Sequence, residues 1–158
     1  MSPRAPRAGQ GPRPPGPPEA ADPTLQVLAA IAIRRADRIL VIREEDEPNR
    51  HSWVLPQGYP RRGETLADAA CREAFEEVGL DVQVERLLGV YDDLGRGTPP
   101  PPVRWVTVCF LGRLVRDRAP VATREAIDSA WIDPSNVDPA SMPALRPMLA
   151  DLARAVRE

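Results

Sequence analysis

The stretch from Gly58 to Leu80, GYPRRGETLADAACREAFEEVGL, constrains this chain more than any other segment. Most of it reads as a helix with both ends marked. Thr65 stands as N-cap, Asp68 falls in the first turn at N3, and Gly79 sits where a helix closes on a left-handed residue. Leu66, Ala69, Ala70, Ala74, Phe75 and Val78 recur at three- and four-residue spacing, the apolar stripe of a helix laid on a core. Glu73, Glu76 and Glu77 stand at i, i+3 and i+4, so they share one face within a turn. Like charges at these spacings repel by roughly 0.2–0.5 kcal/mol per pair, and here they crowd the negative end of the helix dipole. Arg72 is one cation among three anions. Two readings are open: a solvated acidic face, or oxygen ligands awaiting a hard cation such as Mg²⁺.

The flanking sequence supplies a sheet for that helix. Leu25 to Ile33 and Ile39 to Ile42 read as two paired strands around the polar turn Arg34–Arg38. Asp46 to Arg50 is a polar loop, and Trp53–Leu55 is a short strand stopped by Pro56. Val82 to Tyr91 and Val103 to Leu111 are strand-like, separated by a loop carrying Pro99–Pro102, which no ladder accommodates. Ala130–Ile132 suggests a last strand and Leu145 to Val156 a terminal helix. The fold class expected is α/β, a mixed sheet covered on both faces.

Composition narrows the classes. The 158 residues suffice for one domain, and a net charge of −2 gives no global field toward nucleic acid or a membrane. Residues 1–23 hold eight of the 20 prolines, interleaved with Arg4, Arg7 and Arg13, and read as a disordered tail preceding a domain at 24–158. Its Pro-x-x-Pro spacings would also suit an SH3-type partner, although a solvated tail is the simpler account. Cys71 and Cys109 lie in a helical and a strand-like run, where thiols act as small hydrophobes, and neither has a sequence tie to the lone His51. No apolar run reaches 18 residues and no signal-peptide h-region is visible, so the expectation is a cytoplasmic protein without a membrane partner.

The glutamate string has a fuller pattern around it: Gly58, five residues, Glu64, seven residues, Arg72-Glu73, Ala74, one residue, Glu76-Glu77, one residue, Gly79, Leu80. This resembles the signature of the Nudix family at every fixed position. Seven fixed letters at fixed spacing arise by chance in a chain of this length roughly once in a million. The resemblance implies an α/β/α sandwich and a Mg²⁺-dependent hydrolase, Mn²⁺ substituting, that cleaves a pyrophosphate bond in a nucleotide-like substrate. It implies metal ligands at Glu73, Glu76 and Glu77, with the Gly58 carbonyl a further donor, and a supporting pair in Glu64 and Arg72. The cation would neutralise the diphosphate and activate water for in-line attack. Within the family the general base moves between the box and a later loop, which points to Glu76 or to Glu125, six residues before Trp131. Arg43, after the second strand, could reach a phosphate, and Trp53 could stack on a base.

Substrate markers outside the box are sparse. The proline of ADP-ribose hydrolases would fall near Gly95, the tyrosine of diadenosine polyphosphate hydrolases near Gly97, and the Ser-Gln-Pro-Trp string of NADH hydrolases is absent. Leu55-Pro56-Gln57-Gly58 resembles the entry of enzymes acting on dinucleoside polyphosphates and RNA 5′ ends. Nucleoside triphosphates, dinucleoside polyphosphates, nucleotide sugars and capped or triphosphorylated RNA ends therefore all stay open, as does a homodimer. A non-catalytic nucleotide sensor is the alternative from another class, although such modules typically lose box glutamates and this chain has them all.

Overall fold

The computed structural model describes residues 25–45, 51–93 and 104–158. The proline-rich tail, the Asp46–Arg50 loop and the Pro99–Pro102 run lie outside those residues. Seven strands form one mixed sheet: β1 (Leu25–Arg35), β2 (Arg38–Glu44), β3 (Trp53–Val54), β4 (Gln57–Gly58), β5 (Val82–Asp93), β6 (Arg104–Leu114) and β7 (Ala126–Ile132). Helix α1 spans Leu66–Val78 and α2 spans Leu149–Ala155. β1 runs parallel to β6 from Leu25↔Arg104 to Arg34↔Arg113, and every other pairing is antiparallel.

The first hairpin opens like a fork. β1 and β2 pair only beside their turn, at Arg34↔Ile39 and Arg35↔Arg38. Beyond it β2 pairs with β3 at Ile42↔Val54, while β1 pairs with β4 at Ala29↔Gly58. The segment 53–58 thus wedges into the fork. Pro56, expected to stop the strand, does interrupt it. Having no N–H it donates nothing, but its carbonyl accepts the Ile31 amide at 3.0 Å, and pairing resumes at Gln57 on the opposite neighbour. Gly58 is delivered to the sheet this way.

Strand alternation explains the continuous apolar runs of β1 and β2. Ala29, Ile31, Ile33, Leu40 and Ile42 pack under α1 with Ala69, Ala70, Ala74 and Val78. Ala30, Ala32, Ile39 and Val41 face the other way, onto Leu145, Met148, Leu149 and Leu152. A sheet buried on both faces needs no polar face, and α/β/α layering results. Cys109 is buried in the second core, where desolvation pushes its thiol up to about 12, so it acts as a hydrophobe.

Two expectations need correction. Phe75 does not belong to the buried stripe: it is 57% exposed, and the helix buries Glu73 and Glu77 instead. The terminal helix begins as a 3-10 segment, Pro143–Met148, and turns regular only at Leu149. Pro147 lacks an N–H and biases the residue before it away from helical geometry, which delays the α-helix. Elsewhere β7 starts four residues earlier than Ala130, because its ladder with β2 extends to Glu44↔Ala126.

Candidate active site

Helix α1 carries its chemistry on a frame set by its ends. The Thr65 side chain accepts the Asp68 amide at 3.1 Å, and Gly79 closes the helix at φ 69. Between these ends, Arg72 organises the loop before the helix. Its Nε and Nη2 bind the two oxygens of Glu64 at 2.7 and 3.1 Å, and Nη2 also donates to the Tyr59 carbonyl at 3.0 Å. The two-pronged guanidinium and the Arg61 amide, 2.8 Å from Glu64 Oε2, hold that carboxyl down to about 2. Nη1 of Arg72 reaches Glu73 at 2.6 Å and Glu76 at 2.9 Å.

Beside this pair three carboxylates converge. One oxygen each of Glu73, Glu77 and Glu125 lies within 4.8 Å of the other two. Glu77 is 4% exposed and accepts the Gln57 amide at 3.1 Å. Burial, then the charges of Glu44 and Glu73, push its carboxyl up to about 9. Glu73 is also raised, chiefly by burial, against the pull of Arg72. Gly58 is the seat of that second carboxylate. A Cβ at position 58 would stand 2.2 Å from Glu73 Cδ, so no other residue fits without displacing it.

Glu125 comes from the loop before β7, and a threonine brings it there. Thr123 Oγ1 donates to the Glu77 carbonyl at 2.7 Å and accepts the Ala126 amide at 3.2 Å. The Val121 amide donates to the Val78 carbonyl at 2.9 Å. The unsatisfied carbonyls at the helix C-terminus therefore anchor the loop that carries the third carboxylate.

With that geometry established, the comparisons decide the family. A NUDIX domain model matches residues 24–152. The chain belongs to the Nudix family. It is 33% identical to the 8-oxo-dGDP phosphatase NUDT18 of Homo sapiens over 75% of this chain and 35% of that protein. It is 30% identical to an RNA pyrophosphohydrolase of Acidiphilium cryptum over 80% of this chain and 86% of that one. The MutT protein of Methanosarcina mazei superposes with a TM-score of 0.70 at 20% identity, covering 88% of this chain and all of its own, a likeness of fold. The chain thus spans about a third of NUDT18, and likewise 52% of a MutT-like protein of Streptomyces ambofaciens.

Not every residue singled out in the sequence meets at this site. Glu73, Glu77 and Glu125 do, with Gly58 beneath them and Glu64–Arg72 alongside. Glu76, expected among the ligands, is not one of the three converging carboxylates. One helical position from Glu77 is about 100° around the axis, so it faces outward, with one oxygen bonded to Arg72 and the other to Arg61 at 3.0 Å. Arg43 and Trp53, expected to contact substrate, lie on the other face. Trp53 packs against the α2 core, and the Arg43 guanidinium sits 5.6 Å from its ring centroid and 3.4 Å from Asp128. Sequence reading missed Glu44, at the end of β2, which bears on Glu77, and Thr123. Glu44 ends a run alternating between faces, so its side could be inferred, but Thr123 is 46 residues from the carbonyl it binds.

Proposed function

We propose that this domain, residues 24–158, is a Mg²⁺-dependent hydrolase of a phosphoanhydride bond in a nucleoside diphosphate-linked substrate, with Mn²⁺ able to substitute. The observation that carries the reading is the convergence of Glu73, Glu77 and Glu125 from a helix and a loop, two of them carboxyls taken out of water. Arg72 touches Glu73 with one nitrogen, which leaves the cluster short of positive charge; that is costly, and folds retain such a cluster where a cation completes it. The donor set fits a hard divalent ion: all ligands are carboxylate oxygens, and Gly58 leaves space for them. Glu73 and Glu77 would hold it, with the Gly58 carbonyl adjacent and Glu125 alongside as the proton acceptor. When bound, the cation would neutralise the phosphates and lower the pKa of the attacking water.

The chain's own groups orient and move the proton. Arg72 fixes Glu73 by one oxygen and locks the loop through Glu64. Glu125 is exposed and held on a tethered loop, which suits it to accept the proton of the attacking water. Glu76, with an arginine on each oxygen, orients Arg61 and Arg72. The relatives named for 8-oxo-dGDP and for RNA support a nucleotide substrate, and the small net charge favours a free nucleotide over a polymer.

The test is a release screen over nucleoside di- and triphosphates, dinucleoside polyphosphates, nucleotide sugars and 5′-triphosphorylated RNA. Turnover should require added Mg²⁺ and stop in EDTA. Binding of a nucleotide without turnover of any of these would replace the enzyme by a sensor, and turnover surviving EDTA would remove the metal.

A further inference from the structure

The segment between β6 and β7 follows the end of α1 closely. Val115 donates its amide to the Asp81 carbonyl and Val121 to that of Val78, each at 2.9 Å. Four residues then turn the chain into β7. The Thr123 amide donates to the Ala126 carbonyl at 3.0 Å, and the Ala126 amide donates back to Thr123 Oγ1 at 3.2 Å. Arg124 and Glu125 form the tip of that turn. The same hydroxyl donates to the Glu77 carbonyl at 2.7 Å, and the Glu45 amide, just past β2, reaches the Glu125 carbonyl at 3.4 Å. Glu125 is exposed, and among the described residues no donor holds its carboxylate. Its backbone therefore sets where that carboxylate stands, with one oxygen within 4.8 Å of those of Glu73 and Glu77.

A carbonyl at a helix C-terminus needs a donor, and many groups would serve. Thr123 differs from a simple cap in what lies at each end of its bond. At one end is the backbone of Glu77, whose carboxyl would hold the cation. At the other, two residues along, is Glu125, which would accept the proton. A proton acceptor works only within about 2.6–3.2 Å of the oxygen it deprotonates, or through one water. A misplacement of about 1 Å costs about a hundredfold in rate. We propose that Thr123 is the positioning residue of the hydrolysis, its hydroxyl tying the proton acceptor's turn to the helix turn that bears the metal ligand. This role rests on the function proposed above, with Glu125 as acceptor. Thr123 itself touches no substrate and acts through Glu125. Serine has the same donor and acceptor on a freer χ1, whereas valine has the shape and neither group.

The experiment compares Thr123→Val and Thr123→Ser in the full chain. Thr123→Val should lower kcat by about tenfold to a hundredfold, with KM and the calorimetric Mg²⁺ affinity within about twofold of wild type. Thr123→Ser should restore most of the rate. In the metal-free protein the Ala126 amide should exchange its hydrogen faster in Thr123→Val than in wild type or Thr123→Ser. A double variant, Thr123→Val with Glu125→Gln, shows through which group the hydroxyl acts. It should turn over no more slowly than Glu125→Gln alone, because an acceptor already removed cannot be misplaced. A full further loss in the double variant, or Mg²⁺ affinity falling in step with kcat, would put the effect on Glu77 or on the fold and overturn the role. So would a Thr123→Ser variant as slow as Thr123→Val, or unchanged exchange at Ala126. Full kcat in Thr123→Val beside an active wild type would overturn Thr123 alone. A wild type that hydrolyses nothing would overturn the hydrolase and this role with it.

Discussion

Glu77→Gln should make the metal-free domain more stable and the enzyme inactive. The amide keeps the shape of the carboxyl, and its Oε1 can still accept the Gln57 amide. Glu77 has an ordinary carboxyl pKa of 4.5 in the unfolded chain and about 9 in the folded one. Between those values the unfolded chain has released a proton that the folded domain keeps. Stability therefore falls as pH rises through this window, and is regained as pH falls toward 4.5. Each pH unit corresponds to about 1.4 kcal/mol, so the span of about 2.5 units between 4.5 and pH 7 sets a ceiling of about 3–4 kcal/mol on the burden. Glutamine does not titrate and carries none of it. For a domain of this size each kcal/mol moves the melting temperature by about 2–4 °C. In EDTA the variant should melt several degrees above wild type at pH 7.5 and at nearly the same temperature at pH 4.5. Mg²⁺ should raise the wild-type melt, since it binds only the folded cluster, and shift the variant far less. Turnover should fall by at least about two orders of magnitude, because the cation has lost a charged ligand. Identical melts at pH 7.5 without metal, or a variant that keeps its rate, would refute the reasoning.

Three further outcomes are expected from the same geometry. Gly58→Ala should displace the Glu73 carboxylate, whose Cδ would lie 2.2 Å from the new Cβ; calorimetry should find Mg²⁺ binding weakened at least about tenfold while the fold holds, since only the end of a flexible side chain has to move. Glu125→Gln should lower kcat by about two orders of magnitude while equilibrium substrate binding holds, and a variant at full kcat would move the proton acceptor elsewhere. Removing residues 1–23 should leave melting temperature and kcat/KM unchanged, and a loss of several degrees would mean that the tail docks on the domain.

The helix and its ends were legible in the sequence because capping is local: Thr65, Asp68 and Gly79 act within a few residues. So was the Glu64–Arg72 pair, by resemblance to a pattern that spans one loop and one helix. The apolar stripe misled at Phe75, since amphipathic reasoning assigns hydrophobes to the buried face and this helix buries Glu73 and Glu77 there. β4 was not legible, because Pro56 is a sound reason to end a strand and nothing local reveals that the first hairpin forks to receive the segment 53–58. Thr123 was least legible. Its role exists only when a loop from the far side of β6 folds onto the last turn of α1.

The four glutamates of the box divide according to what arginine does for them. Glu64 receives two prongs from Arg72 and sits well below its ordinary pKa, while Glu76 has an arginine on each oxygen. Both are satisfied by the protein's own arginines. Glu73 shares a single nitrogen of Arg72, and Glu77 accepts a backbone amide in a place that burial makes hostile to charge. These two remain electrostatically incomplete, and they are the two that Glu125 joins. A sequence seeking only stability would replace Glu77 with an uncharged residue, since the folded domain gains by protonating it. Retaining a carboxyl there makes sense if the missing charge is supplied from outside, by a cation that arrives with or before a polyanionic substrate. On that account the instability of the metal-free cluster and its affinity for the cation have one source. A variant series at position 77 should accordingly lose metal affinity in step with its gain in metal-free stability, and a variant that gained stability while keeping full affinity would separate the two.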